Sequence, residues 1–251
     1  VRMFRNAMPD MRMTLVHALA QGDAVQGWGV DVWTLTGTHT GTALFGIPAA
    51  GRPVAISGID WLRVDGGMVT ELWHVEDMSR MADQLGLAIP PARLGVDLGT
   101  RRIADAPTLP GPNLSDVECR SFAVARRHLE GLWRDGNVAV ASEVYAPDVK
   151  DMNPAPGQRT GIPGILDAMR FMRDAAPDLR LEIAAWLVDG PLVADRWVMT
   201  GTHTGAPLFG IKASGKPFAI HGMDVVHVTP DARIDQVWHV EDFFTLRSQI
   251  A

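Results

Sequence analysis

Residues 36–60, TGTHTGTALFGIPAAGRPVAISGID, return with few changes at 200–224 as TGTHTGAPLFGIKASGKPFAIHGMD. No other feature constrains the fold as strongly, because a repeat spaced this far apart duplicates a whole domain rather than one turn of a solenoid. The pentapeptide WHVED occurs at 73–77 and again, unchanged, at 238–242. Roughly half the positions from Thr36 to Asp77 match those from Thr200 to Asp242, and the correspondence runs back to MPDMR against APDLR. Between the copies lies AIPPARLGVDLGTRRIADAPTLPGPN, whose five prolines and missing apolar period mark a linker or an extended arm. We therefore expect an N-terminally incomplete copy over 1–87, a Pro-rich linker over 88–113 and a complete copy over 114–251.

A chain of 251 residues that is 47% hydrophobic can bury the core of two ordinary domains. Its 23 basic residues are scattered among 29 acidic ones, for a net charge of -6, which argues against nucleic acid as a partner. The solitary Cys119 excludes an intramolecular disulfide and a thiolate metal site and favours a reducing compartment, so a cytoplasmic location is the expectation. No apolar run approaches the ~18 residues of a membrane helix, so no membrane partner is expected.

In the second copy, Ser115 with Glu118 forms a capping-box signature, and Phe122, Ala125, Leu129, Leu132 and Trp133 fall on one helical face that Gly136 ends. A second helix is predicted through GIPGILDAMRFMRDA, with Pro163 in its first turn and Pro177 beyond its end. The period then becomes two through LRLEIAAWLV, LVADRWVMTGTHTG, KPFAIHGMDVVHV and RIDQVWHVED. Helices followed by a meander of long strands predict an α+β domain with helices covering one face of a curved antiparallel sheet.

Alternate residues on a strand share a face, so Trp197, Met199 and His203 point one way and Arg196, Thr200 and Thr202 the other. By the same count Asp224 goes with Phe218, Ile220, Val226 and Val228, and Asp242 with Ile234, Trp238 and Val240. The first copy repeats these polar groups as His39, Asp60 and Asp77. A carboxylate on an apolar face is either a satisfied structural group or an acid or base with a shifted pKa. His203 is likewise either a core histidine or a catalyst. His239 and Glu241 count with Asp235 and Val237 and read as surface or interface residues. A metal is not expected: residues three apart on a strand face opposite ways, and of His221 and His227, which share a side, the first copy keeps neither. No phosphate-cradling loop or nucleophile elbow is present, so no cofactor is expected. What remains is Asp chemistry in a pocket walled by groups such as Trp197, Met199, Phe218 and Trp238, suited to a hydrophobic small molecule.

Together APDLRLEI, DRWVMTGTHTG, LFGIKASGKPFAIHGMDVVHV and IDQVWHVED resemble the SnoaL-like polyketide cyclase (ester cyclase) family, whose members have the nuclear transport factor 2-like cone fold. The resemblance implies two such cone domains and a cofactor-free aldol-type ring closure in which a strand-end Asp is the general acid/base. That position is Asp242 here and Asp77 in the first copy. It also implies a polar residue early in the domain, supplied by Asn153, and a histidine one strand before the Asp, for which His221 and His227 are near enough while the face count prefers His203. A non-catalytic binding or scaffold module, and another Asp-driven reaction such as epoxide opening or ketone isomerisation, stay open. Because Arg2 aligns with Arg170, nothing in the chain corresponds to Ser115–Met169 in the first copy, and we expect a longer first copy than the sequence carries. The two copies are expected to pack sheet against sheet as an intrachain pseudo-dimer, with further homo-oligomerisation open.

Overall fold

The computed structural model describes residues 2–88, 111 and 113–251, so the linker expected at 88–113 lies almost wholly outside the described residues. The first half runs α1 (Arg2–Ala7), β1 (Arg12–Gly22), β2 (Gln26–His39), β3 (Arg52–Asp65), β4 (Met68–Glu76) and α2 (Met78–Leu85). The second opens with α3 (Asp116–Arg126), which continues as a π-helical segment, Arg127–Arg134, and then α4 (Val140–Val144), β5 (Tyr145–Asp151) and α5 (Gly161–Ala175). It closes with β6 (Arg180–Asp189), β7 (Leu192–Thr202), β8 (Pro217–Val228), β9 (Ile234–Glu241) and α6 (Phe243–Ile250). The sheets are ordered β1-β2-β3-β4 and β5-β9-β8-β7-β6. Both are antiparallel meanders except that the short β5 joins β9 in parallel.

The duplication extends to single hydrogen bonds. Asp10 accepts from the Thr38 amide and hydroxyl at 2.7 and 2.8 Å, and Asp178 accepts from those of Thr202, both at 2.8 Å. Strand register slips at Leu15/His17 in one sheet and at Ile183/Ala185 in the other, a β-bulge kept in both copies. Phe45 and Phe209 sit at φ 50° and 51° in matching loops, a left-handed conformation that costs a bulky residue energy and that each loop holds with a two-residue bridge, Leu44 to Ile47 and Leu208 to Ile211.

The predicted capping box is present: Ser115 Oγ accepts from the Glu118 amide at 3.3 Å, and the Glu118 carboxylate accepts from Ser115 N at 2.8 Å. This fixes where α3 begins, and α3, the π-helical segment and α5 then lie over the concave face of the second sheet. Beneath them Leu129, Leu132, Ile165, Met169, Trp197 and Met199 form one apolar core. Over the first sheet α1 and α2 bury Trp33, Leu35, Val54 and Ile56 against Met8 and Met81, while Met13, Leu15 and Leu72 of that sheet are 55–59% exposed.

The other faces of the two sheets pack on each other. Leu19, Val30, Ile59 and Trp61 of the first half meet Ala185, Leu187, Met223, Val225, Trp238 and Val240 of the second in one buried cluster. Side chains of this kind contribute roughly 1.5–3 kcal/mol each when fully buried. Ion pairs across the seam, such as Arg247 to Asp83, contribute about 1 kcal/mol or less. Apolar burial therefore joins the halves, and polar contacts such as His17 edge-on to Trp238 at 4.4 Å set their register. No helix among the described residues is long and apolar enough to cross a membrane.

Candidate functional site

Between the second sheet and its helices lies a cavity of about 860 Å³. Trp133, Ile165, Met172, Leu181, Trp197 and Met199 give it apolar walls, and residues 153–159 together with α2 of the first half border it. Asp151 of β5, Asp224 of β8 and His239 and Glu241 of β9 bring ionisable groups to it.

β9 places His239 and Glu241 on the cavity, not on the surface. Two features defeat the face count made from sequence. Register slips between His227 and Val228, so Ile234 lies beyond a bulge and its parity does not carry to Trp238. The opposite side of β9 is also buried, with Trp238 and Val240 in the core shared by the two sheets, so apolar character does not mark the cavity side.

His239 is held between two carboxylates, Nε2 at 2.9 Å from Asp151 and Nδ1 at 2.8 Å from Glu241. Burial alone would push its pKa down, but the charge of Glu241 and the hydrogen bond to Asp151 outweigh it and raise it well above the ordinary histidine value. The imidazole is therefore a buried cation. For Asp151 burial also works against the charged form, yet donation from His239, the Asn153 amide and Gln158 holds its pKa low. Asn153 accepts from the His239 backbone N–H at 3.1 Å, which leaves its side-chain N–H groups towards the cavity.

Asp224 stands opposite His239 on β8, on the cavity wall, and accepts from Trp197 Nε1 at 3.0 Å. Burial and the nearby Glu241 charge push its pKa up to about 7, against the pull of His239. Opposite it on β7 lies Asp195, fully buried, with no N–H or hydroxyl donor for either oxygen. Burial, then the Asp224 carboxyl, hold the Asp195 pKa far above the ordinary range, so the pair keeps a proton that the two groups can share. Gly222 makes the Trp197 contact possible: a Cβ there would stand 2.1 Å from the indole ring, which lies across the strand at that point.

A second polar pair sits under the helices. The Tyr145 hydroxyl and His128 Nδ1 are 2.7 Å apart, both residues are buried, and His128 Nε2 has no partner. Burial depresses the His128 pKa to about 3, so this ring is neutral where His239 is charged. Among the described residues no group of three or more His, Cys, Asp and Glu side chains is arranged to hold a metal ion.

Of the residues singled out from sequence, Asp224, Asn153, Trp197 and Met199 border this cavity, and Asp77 borders it from the other half. Asp242 does not: it is the N-cap of α6, its Oδ1 accepting from Thr245 N at 3.0 Å. His203 and His39 do not either. His39 is the last residue of β2 and His203 follows the last of β7, and both brace a loop, His203 Nε2 at 3.1 Å from Ala206 O and His39 Nε2 at 2.9 Å from Thr42 O. Asp60 is half-buried on the uncovered first sheet. Phe218 packs in the core under the helices, and Trp238 lies in the core between the sheets. His221 and His227 are on the β8 side away from the cavity, where His227 pairs with Asp235 at 2.6 Å. Sequence reasoning missed Asp195 and Asp151. Asp195 shares the parity of Trp197, a signal that was there to use; Asp151 ends β5, a strand too short to show a period.

The sequence profile of SnoaL-like polyketide cyclases matches residues 1–85 and 123–250, one segment in each half. The crystal structure of a candidate polyketide cyclase from Bacillus cereus is 27% identical, covers 58% of this chain and 91% of its own, and superposes with a TM-score of 0.50. That of a candidate SnoaL-like polyketide cyclase from Jannaschia sp. CCS1, 18% identical, covers 56% of this chain and 97% of its own, also with a TM-score of 0.50, and shares the fold. A comparison with functionally curated proteins finds no match. Each relative is spanned almost completely by little more than half of this chain, as a tandem duplication requires. The chain belongs to the SnoaL-like polyketide cyclase family.

Proposed function

We propose that the second half is a cofactor-independent acid–base enzyme acting on a hydrophobic carbonyl compound, with aldol-type ring closure as its reaction. The observation that carries this reading is Asp224: a buried carboxyl with a pKa near 7 on the wall of an apolar cavity, beside an imidazolium ion. A base acts best when its pKa is near working pH, because it is then both available and strong enough.

As carboxylate, Asp224 takes a proton from the carbon next to a substrate carbonyl, and the electron pair moves onto the carbonyl oxygen as an enolate. The Asn153 amide N–H groups are placed to donate to that oxygen, and the imidazolium of His239, held between Asp151 and Glu241, offsets part of the negative charge around it. The enolate carbon then attacks a second carbonyl of the same molecule, forming the ring bond and an alkoxide, which takes the proton back from Asp224. No redox equivalent is consumed. Asp195 keeps its proton beside Asp224 throughout and sets how readily Asp224 releases its own.

Asp224→Asn keeps the shape of the side chain and removes the base. We expect it to lower kcat on an aromatic ketone with a pendant β-dicarbonyl chain by about 10²–10⁴-fold while leaving substrate binding within a few-fold. Turnover unchanged by Asp224→Asn would reduce the cavity to a binding chamber.

A further inference from the structure

The cavity of the second half is walled in part by the first. Asp77, Ser79, Arg80 and Asp83, at the start of α2, all border it. They are fixed there by Arg247 of α6, whose Nη1 donates to Ser79 Oγ and Asp83 Oδ1, both at 2.9 Å, while its guanidinium lies 5.8 Å from the centre of the Phe209 ring, itself on the cavity wall. One Arg thus ties a helix of the first half to a helix and a loop of the second.

Asp77 brings an unused acceptor to this wall. Its Oδ1 caps α2 by accepting from Arg80 N at 2.9 Å, and its other oxygen has no hydrogen-bond partner among the described residues. Burial and the charge of Glu241 raise its pKa, and His239 draws it back, so Asp77 lies within electrostatic reach of the polar cluster of the other half. Asp242, its counterpart by duplication, caps α6 in the same way and borders no cavity. The asymmetry follows from the cover: among the described residues, no helices like α3 and α5 stand over the first sheet to close a chamber for Asp242 to face.

We propose that the ligand site is shared between the halves, with Asp77 of the first half accepting a hydrogen bond from a hydroxyl group of an otherwise apolar ligand held in the second. Asp77 is then a specificity-determining residue, and the inference rests on the reading of this cavity as the ligand site. The shared wall also gives the first half a role at the site of the second.

The test compares Asp77→Asn with Asp242→Asn, since Asn also caps helices well and both variants keep their fold while losing one charge. Two probes of the same shape are 2,6-dihydroxyanthraquinone and unsubstituted 9,10-anthraquinone. Asp77→Asn should weaken the dihydroxy probe about tenfold and leave the other within about twofold, while Asp242→Asn changes neither. Equal loss for both probes, or no loss for either, overturns the proposal. If the wild type binds neither probe, the ligand-site reading itself fails and takes this inference with it.

A ligand-free arm asks whether Asp77 reaches the cluster at all. The His239 ring bonds Asp151 and Glu241 and stands opposite Asp224; with Asp77 as a further anion nearby, its titration followed by NMR should move to lower pH in Asp77→Asn and stay put in Asp242→Asn. An unmoved midpoint in Asp77→Asn overturns the shared site.

Discussion

The two halves carry the same polar residues in the same register and hold them in different surroundings. Asp31, Asp60 and His74 lie side by side across β2, β3 and β4, as Asp195, Asp224 and His239 do across β7, β8 and β9. Trp33 and Glu76 likewise match Trp197 and Glu241. Yet Asp195 is fully buried where Asp31 is half-exposed, His239 is part-buried between carboxylates where His74 is exposed, and Trp197 donates to Asp224 where the Trp33 indole N–H has no acceptor. The difference is cover. Among the described residues only α1 and α2 lie over the first sheet and none stands where Asp151 does, so Asp31 and Asp60 are less buried and no anion holds the histidine from the other side. Burial raises the pKa of Asp31 and Asp60 as well, but it takes the closed chamber of the second half to carry Asp224 to about 7. Acid–base capacity here is a property of the enclosure as much as of the residues.

The largest expected effect tests that statement directly. Where Asp224→Asn lowers turnover by about 10²–10⁴-fold, Asp60→Asn should change it by less than about twofold, because its carboxyl faces no chamber. Comparable losses from both would mean that the first sheet is itself an active surface and would break the comparison.

The next effect is on stability against pH. In the unfolded chain Asp224 titrates near the ordinary 3.8, and in the folded protein at about 7. Between these values the folded state holds more protons, so stability falls as pH rises through the window and the loss is complete above about pH 7. His239 has the same sign in a higher window: its raised pKa contributes stability that is fully present below its ordinary 6.5 and is lost only as pH climbs through its higher folded value. Below about pH 6 the Asp224 slope therefore acts alone of the two. Asp224→Asn should be more stable than wild type at pH 8, on the order of 2–4 kcal/mol, and flatter between pH 4 and 7 by denaturant unfolding. Asp60→Asn should leave the slope nearly as it is, its carboxyl being part-solvated. An Asp224→Asn curve parallel to wild type would show that the carboxyl is not held protonated.

Much of this was legible in the residues, and the part that was not has physical causes. The duplication, the capping box at Ser115 and the strand runs are local signals, set by neighbours in sequence. Asp224 was placed on the correct side of β8 because that strand is regular up to His227. His239 was not, because a bulge before it breaks the parity and because the far side of β9 packs on the other half, so both sides are apolar. Whether a strand has one buried side or two is decided by a partner sheet that no local pattern announces. His203 and His39 lie at the ends of their strands, where each ring is taken by the loop that follows and not by the cavity. Asp242 was read as the last residue of a strand, but the chain turns into a helix there and its side chain is taken by the turn.

Gly222 and Gly58 sharpen the comparison at smaller scale. A Cβ at either would stand 2.1 or 2.0 Å from Trp197 or Trp33, so each Gly→Ala change should destabilise the protein by about 1–3 kcal/mol through displacement of the indole. Only Gly222→Ala also removes the hydrogen bond from Trp197 to Asp224. That bond favours the charged carboxylate, so its loss should move the acidic limb of the pH–rate profile to higher pH, while Gly58→Ala leaves the profile in place. Equal pH profiles in the two variants would show that Trp197 packs against Asp224 without tuning it.

The smallest expected effect falls on Asp242. Its carboxylate accepts from Thr245 N at the start of α6, and Asp77 accepts from Arg80 N at the start of α2 with nearly the same geometry, 3.0 against 2.9 Å. Removing a cap costs about 1 kcal/mol wherever the helix end is otherwise unsatisfied, so Asp242→Ala and Asp77→Ala should lower stability by similar amounts in denaturant. Matched losses of stability hold one variable fixed between the halves, and any difference in kcat or KM then belongs to position alone. Asp242→Ala should leave both constants within about twofold of wild type. A collapse of kcat in Asp242→Ala, at a stability loss no larger than that of Asp77→Ala, would mean that the end of β9 and not its middle holds the working acid, and the chamber around His239 would lose its claim to the chemistry.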